Sequence, residues 1–422
     1  MDTFRKYLYD QVVHDLDLTE EISDETLYRK IDEVLFAEGK KNRLGGRARL
    51  KYREAIFAAL RRLDILSIAM DDPSVTEVMV NSAERIYVEK GGGLEPYPDS
   101  FTTPEKLLDV IQQIAAAVNR RINEASPMVD ARLFDGSRVN VVLPPVALDG
   151  PAVTIRRFPK EPVSMEQLIR WGSLTEEAAE FLKVLVQCGY NIFISGGTGT
   201  GKTTFLGALA EFIPDTERVI TIEDSAELRL RNVKNIVRLE SRPANLEGQY
   251  EVTIRDLIRN ALRMRPDRII VGEIRSAEAL DMLQAMNTGH DGSISTGHAN
   301  SARDMLSRIE TMVLMGMDLP LPAIRSQIAS GLDILVHLGR LRDRSRRVMG
   351  IYEVTGVKRD KVEICPLYEF REEGMDGDQV RGSLQRSSFR LRNTEKLLAR
   401  GGRLPGIPDE PEGAHEDAAP SV

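Results

Sequence analysis

Cysteine is nearly absent, with only Cys188 and Cys365 in 422 residues. Two thiols so far apart exclude a disulfide framework and a cysteine-rich zinc site, and they fit a reducing cytoplasm. No run of 18 apolar residues occurs, so nothing in the sequence spans a membrane by itself. The first residues, "MDTFRKYLYDQVVHDLDL", mix charged and apolar side chains and lack the apolar core of a signal peptide. Membrane association must then come through partners. A basic excess is missing too. The net charge is −8, so the chain as a whole does not advertise a nucleic-acid binder, and no nucleic acid is expected. There is no internal repeat. What the chain does have is 42% apolar residues, enough for ordinary globular cores in about two to four domains.

Residues 1–70 have helix-like apolar spacing, as in "REAIFAALRRLDILSIAM". From 71 to 158 the chain turns β-branched. "VTEVMV", "RIYVEKGG", "SRVNVVLPP" and "AVTIRRF" read as strands, and "TPEKLLDVIQQIAAAVNRRI" as a helix capped by Thr103 with Glu105 in its first turn. An α+β domain is expected there. Residues 159–172, with two prolines, read as a linker. From 173 to 370 helices and strands alternate, the pattern of a parallel α/β sheet, and Ser173 with Glu176 forms an S-x-x-E capping box. The polar stretch 371–422 is expected to be a disordered tail.

The strongest motif is "NIFISGGTGTGKTTFLGALAEF". An apolar strand runs into a glycine-rich loop, Gly196, Gly197, Thr198, Gly199, Thr200 and Gly201, followed by Lys202, Thr203 and Thr204 at the start of a helix. Glycines let backbone N–H groups turn inward onto phosphate oxygens, and the positive end of the helix reinforces them. Lys202 is expected to reach the β- and γ-phosphates of ATP, and the Thr203 hydroxyl to ligate Mg²⁺. A chance glycine-rich turn does not account for eight matching positions between a strand and a helix. The reading is a P-loop NTPase.

Two acids mark the next strands. "RVITIEDSAEL" places Glu223 and Asp224 at a strand end, where ligands bind in open α/β sheets. "RPDRIIVGEIR" ends its apolar strand in Gly272-Glu273. Where a Walker B strand usually ends in a magnesium-holding Asp, this chain has Gly272. Glu273 is therefore assigned to orienting the attacking water, and Glu223 to the Mg²⁺ shell. Downstream, "TGHDGSISTGHANS" carries His290 and His298. A metal site would need a third protein ligand. Asp291 is the one close acid, and a spacing of eight differs from the i, i+4 pair of a helical zinc site. No zinc is expected. His298 falls at the end of a strand returning to the P-loop edge and is read as a sensor of the γ-phosphate.

The P-loop, the "IEDSAEL" acid box, the Gly-Glu Walker B and "MNTGHDGSISTGHANS" occur in the order found in type II/type IV secretion ATPases, and roughly residues 65–360 resemble that family. "NSAERIYVEKGG" and "DGSRVNVVLPPVALDGPAVTIRRFPK" look most like its tight-adherence (Flp) pilus branch, the CpaF type. The implied architecture is α/β: a RecA-like P-loop NTPase domain preceded by an α+β N-terminal domain and a helical N-terminal region. The resemblance implies a homohexamer at the cytoplasmic face of an inner-membrane platform of polytopic proteins, powering pilus assembly or secretion. It also implies that N-domain arginines cap the nucleotide, here Arg156 of "VTIRRF" with Arg138 of "DGSRVN" as a second contributor. Strand alternation puts Arg156 and Arg157 on opposite faces, so only one of the two can reach it. The resemblance departs at Gly297, where a bulkier apolar residue is common, and a looser sensor is expected there. A type IV secretion traffic ATPase is the nearest alternative. A RecA-type nucleic-acid motor has only the arginine cluster 339–348, "GRLRDRSRRV", in its favour, and that cluster reads as a solvated β-hairpin.

Overall fold

Apolar residues three to four apart fold the start of the chain into α1 (Thr3–His14), α2 (Asp24–Lys41) and α3 (Gly46–Arg61). These helices bury Leu8, Leu27, Ile31, Ile56 and Phe57 against one another. The computed structural model describes residues 3–16, 23–42, 44–118, 120–133, 135–157, 161–242, 244 and 249–405. It divides into two units, Met1–Lys160 and Glu161–Val422.

In the first unit α4 (Ile65–Asp71) leaves the helical core: Ile65, Leu66 and Ala69 are buried with the sheet that follows. Residues 1–70, expected as a helical region, and 71–158, expected as an α+β domain, fall in one unit. The sheet holds β1 (Val75–Val80), β2 (Ile86–Lys90), β3 (Gly93–Pro96), β4 (Met128–Arg132), β5 (Arg138–Val142) and β6 (Ala152–Arg156). Among the described residues its order is β3-β2-β1-β6-β5-β4. Between β3 and β4 comes α5 (Pro104–Ala117), capped by Thr103, and its Leu107, Val110, Ile111 and Ile114 share the core under the sheet. Alternation along β6 sends Val153 and Ile155 inward and Thr154 and Arg156 outward.

The second unit begins with α6 (Met165–Arg170) and α7 (Glu176–Gln187). Its sheet then takes shape from β7 (Ile192–Gly196), α8 (Lys202–Ala210), β8 (Arg218–Glu223), β9 (Asn235–Glu240), α9 (Ile254–Ala261), β10 (Arg268–Val271), α10 (Glu278–Asn287) and β11 (Ile294–His298). Helices α11 (Ala302–Gly316) and α12 (Leu321–Gly331) lead to β12 (Ile334–Arg340), β13 (Arg346–Lys358), β14 (Lys361–Asp376) and β15 (Gln379–Arg386), and α13 (Glu395–Arg400) follows. The order is β15-β14-β13-β12-β7-β11-β10-β8-β9. β7 pairs parallel with β11 and β12, and β10 pairs parallel with β8 and β11. Helices cover both faces, so β7 and β10 are buried along their whole length and read as unbroken apolar runs. This parallel register brings Gly196, Glu223, Gly272 and His298 to one edge of the sheet.

Three expectations fail here for physical reasons. The linker 159–172 is largely absent, because Ser164 and Gln167 form a capping box for α6 and its Met165 and Leu168 enter the core of the second unit. Residues 158–160 lie outside the described residues. Thr175, not Ser173, caps α7, and the Ser173 hydroxyl donates to the Arg346 carbonyl at 2.9 Å. The tail from 371 is not one polar stretch. It completes β14 and forms β15, whose outer position exposes most side chains and buries Val380 and Leu384. The last part of the expected tail, 406–422, lies outside the described residues.

Beyond β15 the chain returns beneath the opposite edge of the sheet. Lys396 Nζ lies 2.7 Å from Asp333 and 2.7 Å from Asp291, the residues leading into β12 and β11. The Tyr190 hydroxyl donates to the Asn393 carbonyl at 2.6 Å, and Glu353 accepts the N–H groups of Arg392 and Asn393.

Candidate nucleotide site

β7 delivers the chain into the loop under tight constraints. A Cβ on Gly196 would lie 2.7 Å from both the Leu338 carbonyl and the Thr200 hydroxyl. Gly199 and Gly201 adopt φ of +73° and +90°, a region open to glycine without a Cβ penalty. The Thr200 hydroxyl donates to the Gly197 carbonyl at 2.9 Å, closing the loop. Thr198 and Gly199 are exposed at its crest. Gly201 is the N-cap of α8, so Lys202, Thr203 and Thr204 form the first turn, where backbone N–H groups have no intrahelical acceptor. These groups make an anion cradle. The buried Lys202 ammonium donates to the Gly197 carbonyl at 3.0 Å and sits 3.1 Å from His298 Nδ1.

Glu223 ends β8 fully buried. Its Oε1 accepts the N–H groups of Glu227 and Leu228, each at 3.0 Å, while Oε2 is buried with no hydrogen-bond donor among the described residues. Burial pushes the carboxyl up to about 7, against the two backbone N–H groups that favour its ionised form. The neighbouring strand explains why residue 272 is glycine. A Cβ there would lie 2.9 Å from Glu223 Cγ, so the Glu223 side chain fills the space that a side chain at 272 would need.

Glu273 follows in an extended segment. Its Oε2 accepts from Arg275 Nη2 at 2.9 Å, and Oε1 lies 2.8 Å from His298 Nε2. That approach falls short of a hydrogen bond, and Oε1 is otherwise buried without a donor among the described residues. An ammonium can only donate, so His298 Nδ1 accepts from Lys202 and the ring proton sits on Nε2, toward Glu273. Burial holds the imidazole below its ordinary range. The Glu273 carboxylate opposes that shift, and Lys202 and Arg275 add to it. A chain of polar contacts thus runs from the P-loop through Lys202 and His298 to Glu273. It continues through Arg275, whose Nη1 lies 3.3 Å from Asp224. Gly297 does not loosen this arrangement. A Cβ there would lie 2.9 Å from Met305 Cε and 3.1 Å from Phe193 Cε1, so neighbouring side chains already fill the gap.

The two histidines of "TGHDGSISTGHANS" occupy opposite ends of β11. His290 stands before the strand, its Nδ1 3.3 Å from the Ala285 carbonyl, and His298 ends it. A five-residue parallel strand spans roughly 13 Å, too far for one shared ion. Asp291 is engaged by Lys396. Mg²⁺ is a different matter, since it takes oxygen ligands. The Thr203 hydroxyl on the first turn of α8 and the free Oε2 of Glu223 supply oxygen donors, so this donor set fits the ion.

Two residues escaped the sequence reading. Arg275 stands two positions after Glu273 in extended chain, a spacing that returns it to the same side, and this was the signal available. Arg346, within the arginine cluster expected to be only a solvated hairpin, donates from Nε to the Gly199 carbonyl at 2.9 Å. The hairpin itself is present as β12 paired with β13.

In the first unit Arg138 and Arg156 are directly paired across β5 and β6. Arg138 Nε lies 3.1 Å from Asp130 Oδ1, and Arg156 Nε 3.7 Å from Glu77 Oε1. Arg157 points elsewhere and is tied to the carbonyls of Asp72 and Val75, the latter at 2.8 Å.

Comparison with known proteins matches residues 61–376 to the family described as Type II/IV secretion system protein. A Mycobacterium tuberculosis protein named for conjugal transfer is 36% identical over 293 residues, covering 68% of this chain and 83% of its own. Type IV secretion system protein VirB11 of Bartonella quintana is 30% identical over 347 residues, covering 73% and 94%. Among solved structures, the pilus retraction motor PilT with bound ADP aligns over 80% of this chain and 87% of its own. Its TM-score is 0.50 at 20% identity, a likeness of fold.

Proposed function

The chain belongs to the type II/IV secretion system protein family, and from that premise we propose that it is a Mg²⁺-dependent ATPase driving macromolecular transport of the type IV secretion and conjugal transfer kind. The observation that carries the activity is the buried Glu223 Oε2, which has no hydrogen-bond donor among the described residues, at the sheet edge that holds the P-loop. A buried acceptor without a donor costs about 1–3 kcal/mol, which a bound ion would offset. Thr203 and Glu223 hold Mg²⁺, which neutralises phosphate charge when bound. Glu273 orients the attacking water. Lys202 contacts the Gly197 carbonyl and His298 Nδ1. Entry of a polyphosphate draws Lys202 onto the anion and frees His298 Nδ1. The ring then reports the γ-phosphate to Glu273 on one side and to α11 on the other.

The assembly is a homohexamer acting at the cytoplasmic face of an inner-membrane platform, with no nucleic acid in contact. Among the described residues no helix is long and apolar enough to cross a membrane. Arg156 and Arg138 reach the nucleotide from the N-terminal unit. Their shared strand face supports this, as does the diversion of Arg157 to backbone carbonyls. Assembly of a Flp-type pilus is the second reading. It rests on the wording around "PPVALDGP", while the relatives named for conjugal transfer and type IV secretion favour the first.

Phosphate release from Mg-ATP tests the activity. Glu273→Gln should keep nucleotide binding and lose at least about 100-fold in turnover, equivalent to about 2.7 kcal/mol of barrier. Lys202→Ala should weaken binding itself. An unchanged rate in Glu273→Gln removes Glu273 from the mechanism and points to Glu223. Stimulation by membranes carrying the platform proteins tests the transport role.

A further inference from the structure

We propose that Arg346 is a nucleotide-contacting residue, supplied by the β12–β13 hairpin to the phosphates bound in the P-loop of the same chain. The inference rests on nucleotide binding at that loop. The Nε–H···O bond to Gly199 uses one of five guanidinium N–H donors, and the planar Nη fork suits phosphate oxygens. The side chain lies along the loop mouth. A Cβ on Gly201, the N-cap of α8, would come 3.6 Å from Arg346 Cδ.

Both ends of the hairpin are fixed, so this placement does not depend on a freely moving arm. β12 runs parallel to β7 in a register that sets Leu338 beside Gly196, and the Leu338 carbonyl closes the space behind that glycine. On the other strand the Arg346 carbonyl accepts from the Ser173 hydroxyl at 2.9 Å, and the Val348 N–H donates to the Ser173 carbonyl at 2.8 Å. Arg347 is bound to the carbonyls of Trp171 and Gly172. The backbone on either side is anchored, and the Arg346 side chain reaches the loop at the Gly199 carbonyl. It supplies a second positive charge at a site where Lys202 sits deep and buried. Anion recognition by a charge-assisted fork is about twice as strong as by neutral donors.

The test measures ADP and ATP binding in the presence of Mg²⁺, with thermal midpoints recorded with and without nucleotide. Arg346→Ala should weaken both ligands about tenfold or more. Its midpoint without nucleotide should stay near that of wild type, and the nucleotide-induced rise should shrink. Arg346→Lys, which keeps the charge and loses the fork, should recover only part of the affinity. Arg342→Ala, in the same hairpin and paired with Glu372, should bind as wild type does. Affinity within twofold of wild type in Arg346→Ala overturns the proposal. So does a fall in the nucleotide-free midpoint large enough to account for the lost binding, which would make Arg346 a brace for the loop. Wild-type protein that binds neither nucleotide instead overturns the ATPase reading itself.

Discussion

Gly272→Ala should dislodge Glu223 and destabilise the second unit. The added methyl would sit 2.9 Å from Glu223 Cγ and 3.5 Å from its Cβ, where carbon atoms pack best at about 3.5–4.0 Å. Glu223 cannot retreat freely, because its Oε1 is held by two backbone N–H groups at 3.0 Å. Either the core strains, at about 1–3 kcal/mol, or a hydrogen bond to the carboxylate is lost, at about 1.5–3 kcal/mol. Both routes converge on about 2 kcal/mol. In a unit of this size, 1 kcal/mol moves the thermal midpoint by roughly 2–4 °C, so a fall of about 4–8 °C is expected by scanning fluorimetry. Glu223→Ala vacates the same space. The double variant should therefore be more stable than the sum of the single losses predicts, by about 1–2 kcal/mol, as expected for residues in direct contact. Additivity within about 0.5 kcal/mol would refute the packing of Glu223 on Gly272, and with it the physical reason for the missing Walker B aspartate.

Two further outcomes follow from the same geometry. His298→Ala should lower turnover by at least about tenfold or uncouple it from transport, and should release no metal; stoichiometric zinc in the wild type that disappears from the variant would defeat the phosphate-sensor role. Arg156→Ala should cut turnover strongly while light scattering shows an oligomeric state unchanged from wild type, and Arg157→Ala should do much less to turnover. If Arg157→Ala proves the more damaging in steady-state assays, the nucleotide is approached from the other strand face.

Local chemistry was legible in the sequence, and chemistry assembled across strands was not. The P-loop, Glu273 and His298 could be read because each stands at the end of an apolar run that must enter the sheet. The absence of an aspartate at 272 could be seen, but its cause lies two strands of sequence away, in the Glu223 side chain. Arg346 was hidden by distance along the chain: 147 positions separate it from the carbonyl it binds. The linker was misjudged because prolines 159 and 162 outweighed the Ser164–Gln167 capping signal beside them. The tail was misjudged because outer strands of a sheet carry polar side chains on the faces that meet water.

A ribosome makes Asp333 some sixty residues before Lys396. At about 5–20 residues per second, the floor of the sheet waits roughly 3–12 s for its cation. In the finished protein, burial holds the Asp333 carboxyl above its ordinary range against the pull of Lys396. Every nucleotide-binding motif has by then left the peptidyl-transferase centre. A transcript cut after codon 386 would encode all of them and still leave Tyr190, Asp333 and Glu353 without their partners from the closing segment. For this chain, translation completes the second unit at the sheet edge opposite the P-loop.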